Sequence, residues 1–408
     1  MIYFYRLFYS FFKNLLVLLK VILPQNLKAW VDLRTKKIEN TSKFTNAYWF
    51  HASSGEIEYC KSVIRLLKEQ QPSSQIVVTY SSPSAEKLFH NITAFVDQFI
   101  PLPWDQADYL NSLIDYLNPK VLIFARTDLW PELILQVKKR NIQIGVISFN
   151  PQFSIINSLL NNWLLPQIDF ISCIDDSIKN KLSANHKLKN ITNDGDTRFD
   201  QVFHRLQLEP KIKIISEAKI LVCGSTWPED ENILFECFSE LIRNNFKIIL
   251  SPHEVNDQNI IRLQEKLSRQ SLSYQLLSKE NNFLQIVLNE NIQIIDKIGY
   301  LADAYRYAHI AFVGGSFKEK VHSVMEPLCC GLPVMTGPYY KNNPEAIKYQ
   351  NKFVFTAITP EEVIQTTHRL LAISKSDIIT EMKKNMNASQ KVLHLLFKCL
   401  NLLKTGST

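Results

Sequence analysis

From residue 47 onward, apolar runs of strand length alternate with helical patterns, and the alternation is completed twice. In the first half the runs are Ala47 to Phe50, Ile76 to Tyr80, Val121 to Phe124, Ile144 to Ser148 and Phe170 to Cys173. In the second they are Ile220 to Cys223, Phe246 to Leu250, Ile292 to Ile295, Ile310 to Val313 and Leu332 to Met335. Between them, positions such as Ile57, Cys60, Ile64 and Leu67 share one helical face. Unbroken apolar runs suit strands covered on both sides, and an intervening helix lets the next strand start in parallel. The expected fold class is therefore α/β, with two Rossmann-like domains. A chain of 408 residues exceeds what one core commonly holds, which agrees with two. The polar stretch from Leu206 to Lys213, with Pro210, is the expected connector, giving domains over 45–205 and 206–378. The helical pattern from Ile379 to Leu403 is expected to pack back across them as a 379–408 tail.

Residues 1–44 form a separate region. The first 23 are almost wholly apolar, yet Arg6, Lys13 and Lys20 recur every seven residues and fall with Ser10 and Asn14 on one narrow helical face. A spanning helix would place Lys13 near the bilayer centre, whereas an interfacial one would put the whole stripe at the headgroups. A monotopic anchor is expected, with a single span and a signal or core helix as the alternatives. Lys28, Arg34, Lys36, Lys37 and Lys43 are expected to face acidic phospholipid.

A formal charge of +7, spread along the chain, does not match a nucleic-acid-binding pattern and suits an anionic membrane or substrate. Seven cysteines make no CxxC pair and lie mostly in apolar runs, which reads as reduced core thiols of a cytoplasmic protein. The histidines form no compact metal motif, so no metal site and no cofactor is expected.

In wound parallel sheets, ligands gather beyond the carboxyl ends of the strands. Gly314, Gly315 and Ser316 follow one such run, and a helix over His322 to Cys330 follows them, so anionic groups could sit at its N-terminus with Glu326 on ribose hydroxyls. The other reading is a tight turn and a dipole-matched surface acid. The first run ends in Ser53, Ser54, Gly55 and Glu56, which offers Glu56 as a base, or else Ser54 as an N-cap with an ordinary first-turn acid. Arg198, beside Asp196 and Asp200, either balances a leaving phosphate or forms a surface ion pair. Ser225, Thr226, Pro252 and His253 sit at two further strand ends as binding candidates, with Asp296 to Leu301 closing the same wall, while Glu229 to Glu231 read as a solvated helix start.

With HASSGE, TDLWPE, GDTRFD, GSTWPEDE, PHEV and the GGS to GLPV to GP block in order, nearly the whole chain resembles the Kdo (3-deoxy-D-manno-octulosonic acid) transferases, and looks most like their bacteroidete branch. The resemblance implies two facing Rossmann-like domains of the GT-B glycosyltransferase type, with an N-terminal membrane-associated helix. It implies inverting, metal-independent transfer of Kdo from CMP-Kdo to a lipid A precursor at the cytoplasmic face of the inner membrane. Glu56 would be the acceptor base and Arg198 the positive group at the leaving nucleotide. Pro252, His253, Ile298, Gly299, Tyr300, Ser323, Val324, Met325 and Glu326 would form the CMP wall. The chain departs from the family pattern at four places. HASSGE is one residue shorter than HAASVGE, and METELWPN appears as ARTDLWPE, with Arg126 in place of an acid and Asp128 two residues on. NARLS becomes Asn150 to Ser154, with Gln152 for arginine, and HN becomes His322 and Ser323. Two other functions fit the same residues: a nucleotide-sugar transferase with a different glycolipid acceptor, and a paralogue that binds lipid or nucleotide without turnover.

Overall fold

The structure is a computed structural model that describes residues 2–36, 43–151, 162–184, 188, 190–280 and 285–402. Lys37, Gln152, Phe153, Ser154 and Leu403 lie outside the described residues. The chain divides into two compact units, one of Met1–Gln201 with Asn385–Thr408 and one of Val202–Lys384.

The first unit holds a seven-stranded sheet of β1 (Ala47–His51), β2 (Ile76–Tyr80), β3 (Gln98–Pro101), β4 (Pro119–Ala125), β5 (Gln143–Phe149), β6 (Phe170–Cys173) and β7 (Ile191–Asn193). The order is β3-β2-β1-β4-β5-β6-β7 and every pairing is parallel, with Tyr48 opposite Ile76 and Val121. Alternate side chains serve two cores, as the pleat requires. Tyr48, Phe50, Val78 and Ile123 pack against Ile57, Cys60, Ile64 and Leu67 of the helix Ile57–Gln70 and against Val392 and Leu396. Trp49, Val77, Leu122 and Phe124 pack on the other side against Leu113, Leu133 and Val137. Strand order reverses between β1 and β4, so the turns after those two strands open at a switch point.

The second unit repeats the plan with β9 (Lys219–Thr226), β10 (Phe246–Pro252), β11 (Tyr274–Leu276), β13 (Ile292–Ile294), β14 (Ile310–Val313), β15 (Val334–Thr336) and β16 (Val354–Thr356). Their order is β11-β13-β10-β9-β14-β15-β16, and β8 (Ile214–Ile215) pairs separately with β12 (Ile286–Val287). Here the reversal falls between β9 and β14.

Two expectations about helices need correction. The tail is not one helix from Ile379: it is Lys375–Lys383 followed by Ala388–Cys399. Asn387, in left-handed backbone, breaks them, and Asp200 accepts from the backbone N–H of Asn387 and Ser389 (2.7 and 2.6 Å) to start the second. At the other terminus, α1 (Ile2–Leu18) turns its basic stripe toward the protein body rather than outward. Arg6 makes a bidentate pair with buried Glu132 (2.7 and 2.9 Å), Lys13 lies over the Tyr109 ring, and Lys20 pairs with Asp32. Tyr9 packs edge-on to Trp104 and Trp130, and Tyr5 donates to Asp105 (2.6 Å). Buried Glu132 and Asp105 provide the stronger partners, so the stripe docks and the apolar side is left open. Tyr3, Phe4, Leu7, Phe8, Phe11, Leu18 and Val21 are all exposed, Val21 by 88%.

Arg34, expected to meet phospholipid, is also inside. It is 2% exposed in α2 (Gln25–Thr35), with its guanidinium 4.1 Å from the Trp30 ring and 4.6 Å from Trp130. Lys36 pairs with Glu86 (3.7 Å), whereas Lys28 and Lys43 are exposed. Among the described residues, no helix is long and apolar enough to cross a membrane.

Candidate active site

In the first unit, β1 delivers His51 into a fully buried position at the switch point. Trp49 Nε1 donates to the Thr79 hydroxyl (2.8 Å), which is also hydrogen-bonded to His51 Nδ1 (2.9 Å). On its other side His51 Nε2 lies 2.8 Å from Asp128 Oδ2, where the ring nitrogen donates to the carboxylate. The same oxygen accepts from Ser53 Oγ (2.6 Å) and Trp130 Nε1 (3.2 Å). Burial alone would raise the Asp128 carboxyl, but these three donors, His51 foremost, hold it below the usual carboxylate range. Asp128 thereby ties the turn after β4 to the turn after β1. The Ser53 carbonyl adds to this by accepting from the N–H groups of Ser81 and Ser82.

Glu56 stands at the end of that fixed turn, half-buried, its Oε2 accepting from Ser54 N–H (3.1 Å). The helix begins at Ile57, so Glu56 is its N-cap residue, and Ser54, read as a possible cap, instead bonds Ser84 (2.6 Å). Gly55 is exposed with open space about its Cα. One turn on, the ring of buried Tyr59 carries Arg198 at 4.5 Å and Arg126 at 5.1 Å. Arg198 is clamped by Asp196, with contacts of 2.6 to 3.1 Å. Thr197 fixes that pair by donating to the Tyr59 carbonyl (2.6 Å). The structure therefore brings Ser53, Ser54, Gly55, Glu56, Arg126, Asp128 and Arg198 together at the ends of β1, β4 and the segment after β7. His51, which shares the site, is the first residue of HASSGE, whereas Tyr59 carried no signal of its own beyond following that motif. A cavity of about 400 Å³ between Thr192, Asp194, His394 and Lys398 is lined by none of the predicted residues.

The second unit corrects the sequence reading in several respects. The run Glu229–Glu231 is not solvated throughout: Asp230 and Glu231 are both 0% exposed. Asp230 accepts from the N–H groups of Trp227 (2.8 Å), Gly315 (2.7 Å) and Phe317 (3.0 Å), while burial pushes its carboxyl up. Glu231 accepts from Thr226 (3.0 Å) and pairs with Arg262 (2.7 Å). The amides of the glycine loop are thus claimed by a buried carboxylate of the same unit. What comes close to Gly314 is the Ser225–Thr226 backbone, 2.4 Å from where a Cβ would stand. Gly315 has φ +79° beside the Lys320 carbonyl. Ser316, fully buried, donates to Val313 O and accepts from Gly337 N–H.

Nor does a helix begin at His322. It spans only Met325–Cys329, because Asn342 bonds both polar groups of the Val321 backbone and Asn343 bonds the His322 carbonyl, holding those residues outside the helix. Thr226, Pro252, Gly314, Gly315, Ser316, Val324 and Met325 are buried. Left accessible are Ser225, in left-handed backbone, with His253, Ile298, Gly299, Tyr300, Ser323 and Glu326. Glu326 is paired with Arg205 of its own unit (2.8 Å). Trp227, His253 and His322 form a stack, with ring centroids 4.8 and 4.1 Å apart, and Trp227 Nε1 donates to His322 Nε2 (3.0 Å). Burial and the adjacent His253 push His322 down to about 4, so it accepts this bond as a neutral ring. Sequence reading took His322 as a helix start and a departure from the family pattern, not as a binding residue, and missed Trp227; an aromatic following a strand end was the available signal.

Comparison with known proteins bears on what such a pair of units does. Residues 29–201 match the family model described as 3-deoxy-D-manno-octulosonic-acid transferase (kdotransferase). The 3-deoxy-D-manno-octulosonic acid transferase of Chlamydophila psittaci is 28% identical over 314 residues, 73% of this chain and 70% of that protein. That of Aquifex aeolicus is 25% identical over 354 residues, covering 85% and 92%. Among solved structures, the UDP-GlcNAc 2-epimerase of Neisseria meningitidis bound to UDP-GlcNAc aligns with TM-score 0.62 at 15% identity, covering 87% of this chain and 100% of that one, a likeness of fold alone. The chain is a glycosyltransferase with a GT-B type fold, and it is similar to the Kdo transferases over most of its length.

Proposed function

We propose that the protein transfers Kdo from CMP-Kdo to a lipid A precursor in lipopolysaccharide biosynthesis, with inversion and without a metal. The observation that carries this reading is the fixed position of Glu56, whose turn is pinned through Ser53 to Asp128 while the carboxylate itself stays accessible. Glu56 takes the proton of the acceptor hydroxyl. The oxygen attacks the anomeric carbon from the face opposite the nucleotide, and the anomeric bond to CMP breaks, its electron pair leaving with the phosphate. Arg198, oriented by Asp196, supplies positive charge for that phosphate in place of a metal. The second unit takes CMP, with His253 and His322 as a flat surface for the base and Glu326 on the ribose once it exchanges Arg205 for the sugar hydroxyls.

We further propose that the enzyme works on the anionic cytoplasmic surface of the inner membrane, held there as a monotopic protein. The support is the continuous apolar side of α1, with Lys28 and Lys43 exposed farther along the N-terminal region. The decisive assay combines purified protein, CMP-Kdo generated in situ and tetraacyl lipid A, with product mass recorded. Addition of Kdo supports the reading; a protein that turns over CMP-Kdo only with another glycolipid would replace the acceptor.

A further inference from the structure

The family's acid is absent at position 126, and what the structure does with the arginine there has its own consequence. Arg126 sits just past β4 with φ +59°, a conformation that costs energy for a side chain of its size. Its N–H still donates to Ile147 O (2.9 Å), so β5 holds the backbone in this state. Its guanidinium lies 5.1 Å from the Tyr59 ring, and its Nε is buried without a hydrogen-bond partner. Neighbouring carboxylates are engaged elsewhere: Asp196 clamps Arg198, Asp128 receives His51, Ser53 and Trp130, and Glu56 accepts from Ser54. Among the described residues, Arg126 forms no ion pair. Arg198 beside it has its charge balanced, so Arg126 brings the unbalanced one. A guanidinium with open donors, backed by an aromatic face, is built to meet two oxygens of an oxyanion side by side.

We propose that Arg126, supported by Tyr59 and adjacent to Arg198, anchors an oxyanion subsite in the first unit. It takes either a phosphate on the acceptor or the carboxylate of the sugar acid. The assignment rests on the reading of this unit as the transfer site, and it makes Arg126 a specificity-determining residue for the substrate bound there.

The test measures binding of inorganic phosphate and, separately, of free Kdo to the full-length protein by calorimetry, for wild type, Arg126→Met and Arg126→Lys. Methionine keeps an unbranched stem over Tyr59 and removes the charge; lysine keeps the charge and loses the fork. Expected is a weakening of roughly tenfold or more in Arg126→Met, with Arg126→Lys between the two. Loss confined to phosphate assigns the subsite to a phosphorylated acceptor, and loss confined to Kdo assigns it to the sugar carboxylate. Wild type that binds neither, or equal affinities in wild type and Arg126→Met for both, overturns the proposal. The Kdo-transfer reading fails separately: Arg126-dependent binding in a protein inactive with every glycolipid keeps the subsite and removes that reading. Transfer with unchanged binding does the reverse.

Discussion

The two switch points share an architecture but differ in how their polar groups are used. After β1 and β4 in the first unit, Asp128 consumes the donors that shape the turn, and Glu56 and Arg126 are left for something outside. After β9 and β14 in the second, Asp230 reaches into the glycine loop and takes the amides that a phosphate would have needed. The recognition surface there shifts to side chains, namely the His253 and His322 stack and Glu326. A glycine pair after a buried strand is therefore an anion site only where no neighbouring carboxylate claims its N–H groups.

The sharpest way to break this contrast is at Glu56. If its open carboxylate is the acceptor base, Glu56→Gln lowers turnover about a hundredfold or more with CMP affinity unchanged, measured by product mass and by calorimetry. Unchanged turnover would move the base elsewhere. Asp230→Ala probes the closed counterpart. Removing the carboxylate strands the N–H groups of Gly315 and Phe317 and should cost about 3 kcal/mol of stability in denaturant unfolding. A phosphate ion that restored much of this loss would show that the loop can serve as an anion site after all.

A third test applies the same contrast to α1, whose two sides are closed and open. Tyr9→Ala empties the contact with Trp104 and Trp130 and should destabilise the protein by about 2 kcal/mol. Leu7→Ser with Phe11→Ser should leave stability alone and release the protein from anionic vesicles in a flotation assay. Removing residues 1–23 outright would uncover Trp104 and take Arg6 from buried Glu132 and Tyr5 from buried Asp105, so a stable soluble body is not the expected product.

What the sequence made legible follows burial. The ten strands interior to the two sheets each correspond to an expected apolar run, because both faces are covered and the run is unbroken. The four edge strands, β3, β7, β11 and β16, were not expected: they are three or four residues long, and polar positions such as Gln98, Asn193 and Gln275 interrupt them. The cluster around Glu56 was readable because its residues follow strands that the pattern located. The embrace of Gly315 by Asp230 was not, since 85 positions separate the partners and an acidic helix start is ordinarily solvated. The direction of the α1 stripe was hidden for the same reason. Periodicity shows that Arg6, Lys13 and Lys20 share a side, and only the fold supplies Glu132 and Asp32 as partners.

An effect no larger than that of Tyr9→Ala separates two buried carboxylates within the first unit by the sign of their pH dependence. Asp105, 2% exposed, is pushed by burial up to about 6, although Tyr5 and the N–H groups of Glu132 and Leu133 donate to it. A raised folded value means that the folded state holds the proton more tightly than the unfolded chain. Its stabilising contribution is complete below the ordinary value of 3.8 and is lost as pH rises through about 6. Asp128 has the opposite sign, because its donors hold it low: its contribution is present above 3.8 and is lost only as pH falls through its depressed value. Between pH 4 and 6.5, Asp105 should make unfolding easier with rising pH by about 2 kcal/mol, and Asp105→Asn should flatten that slope. Asp128→Asn should leave it in place, since Asp128 is already ionised throughout that window. Denaturant midpoints collected across the range decide the matter: an unchanged slope in Asp105→Asn would mean that the contact of α1 with the body holds Asp105 ionised, and that the closed side of the helix is closed by charge rather than by a shared proton.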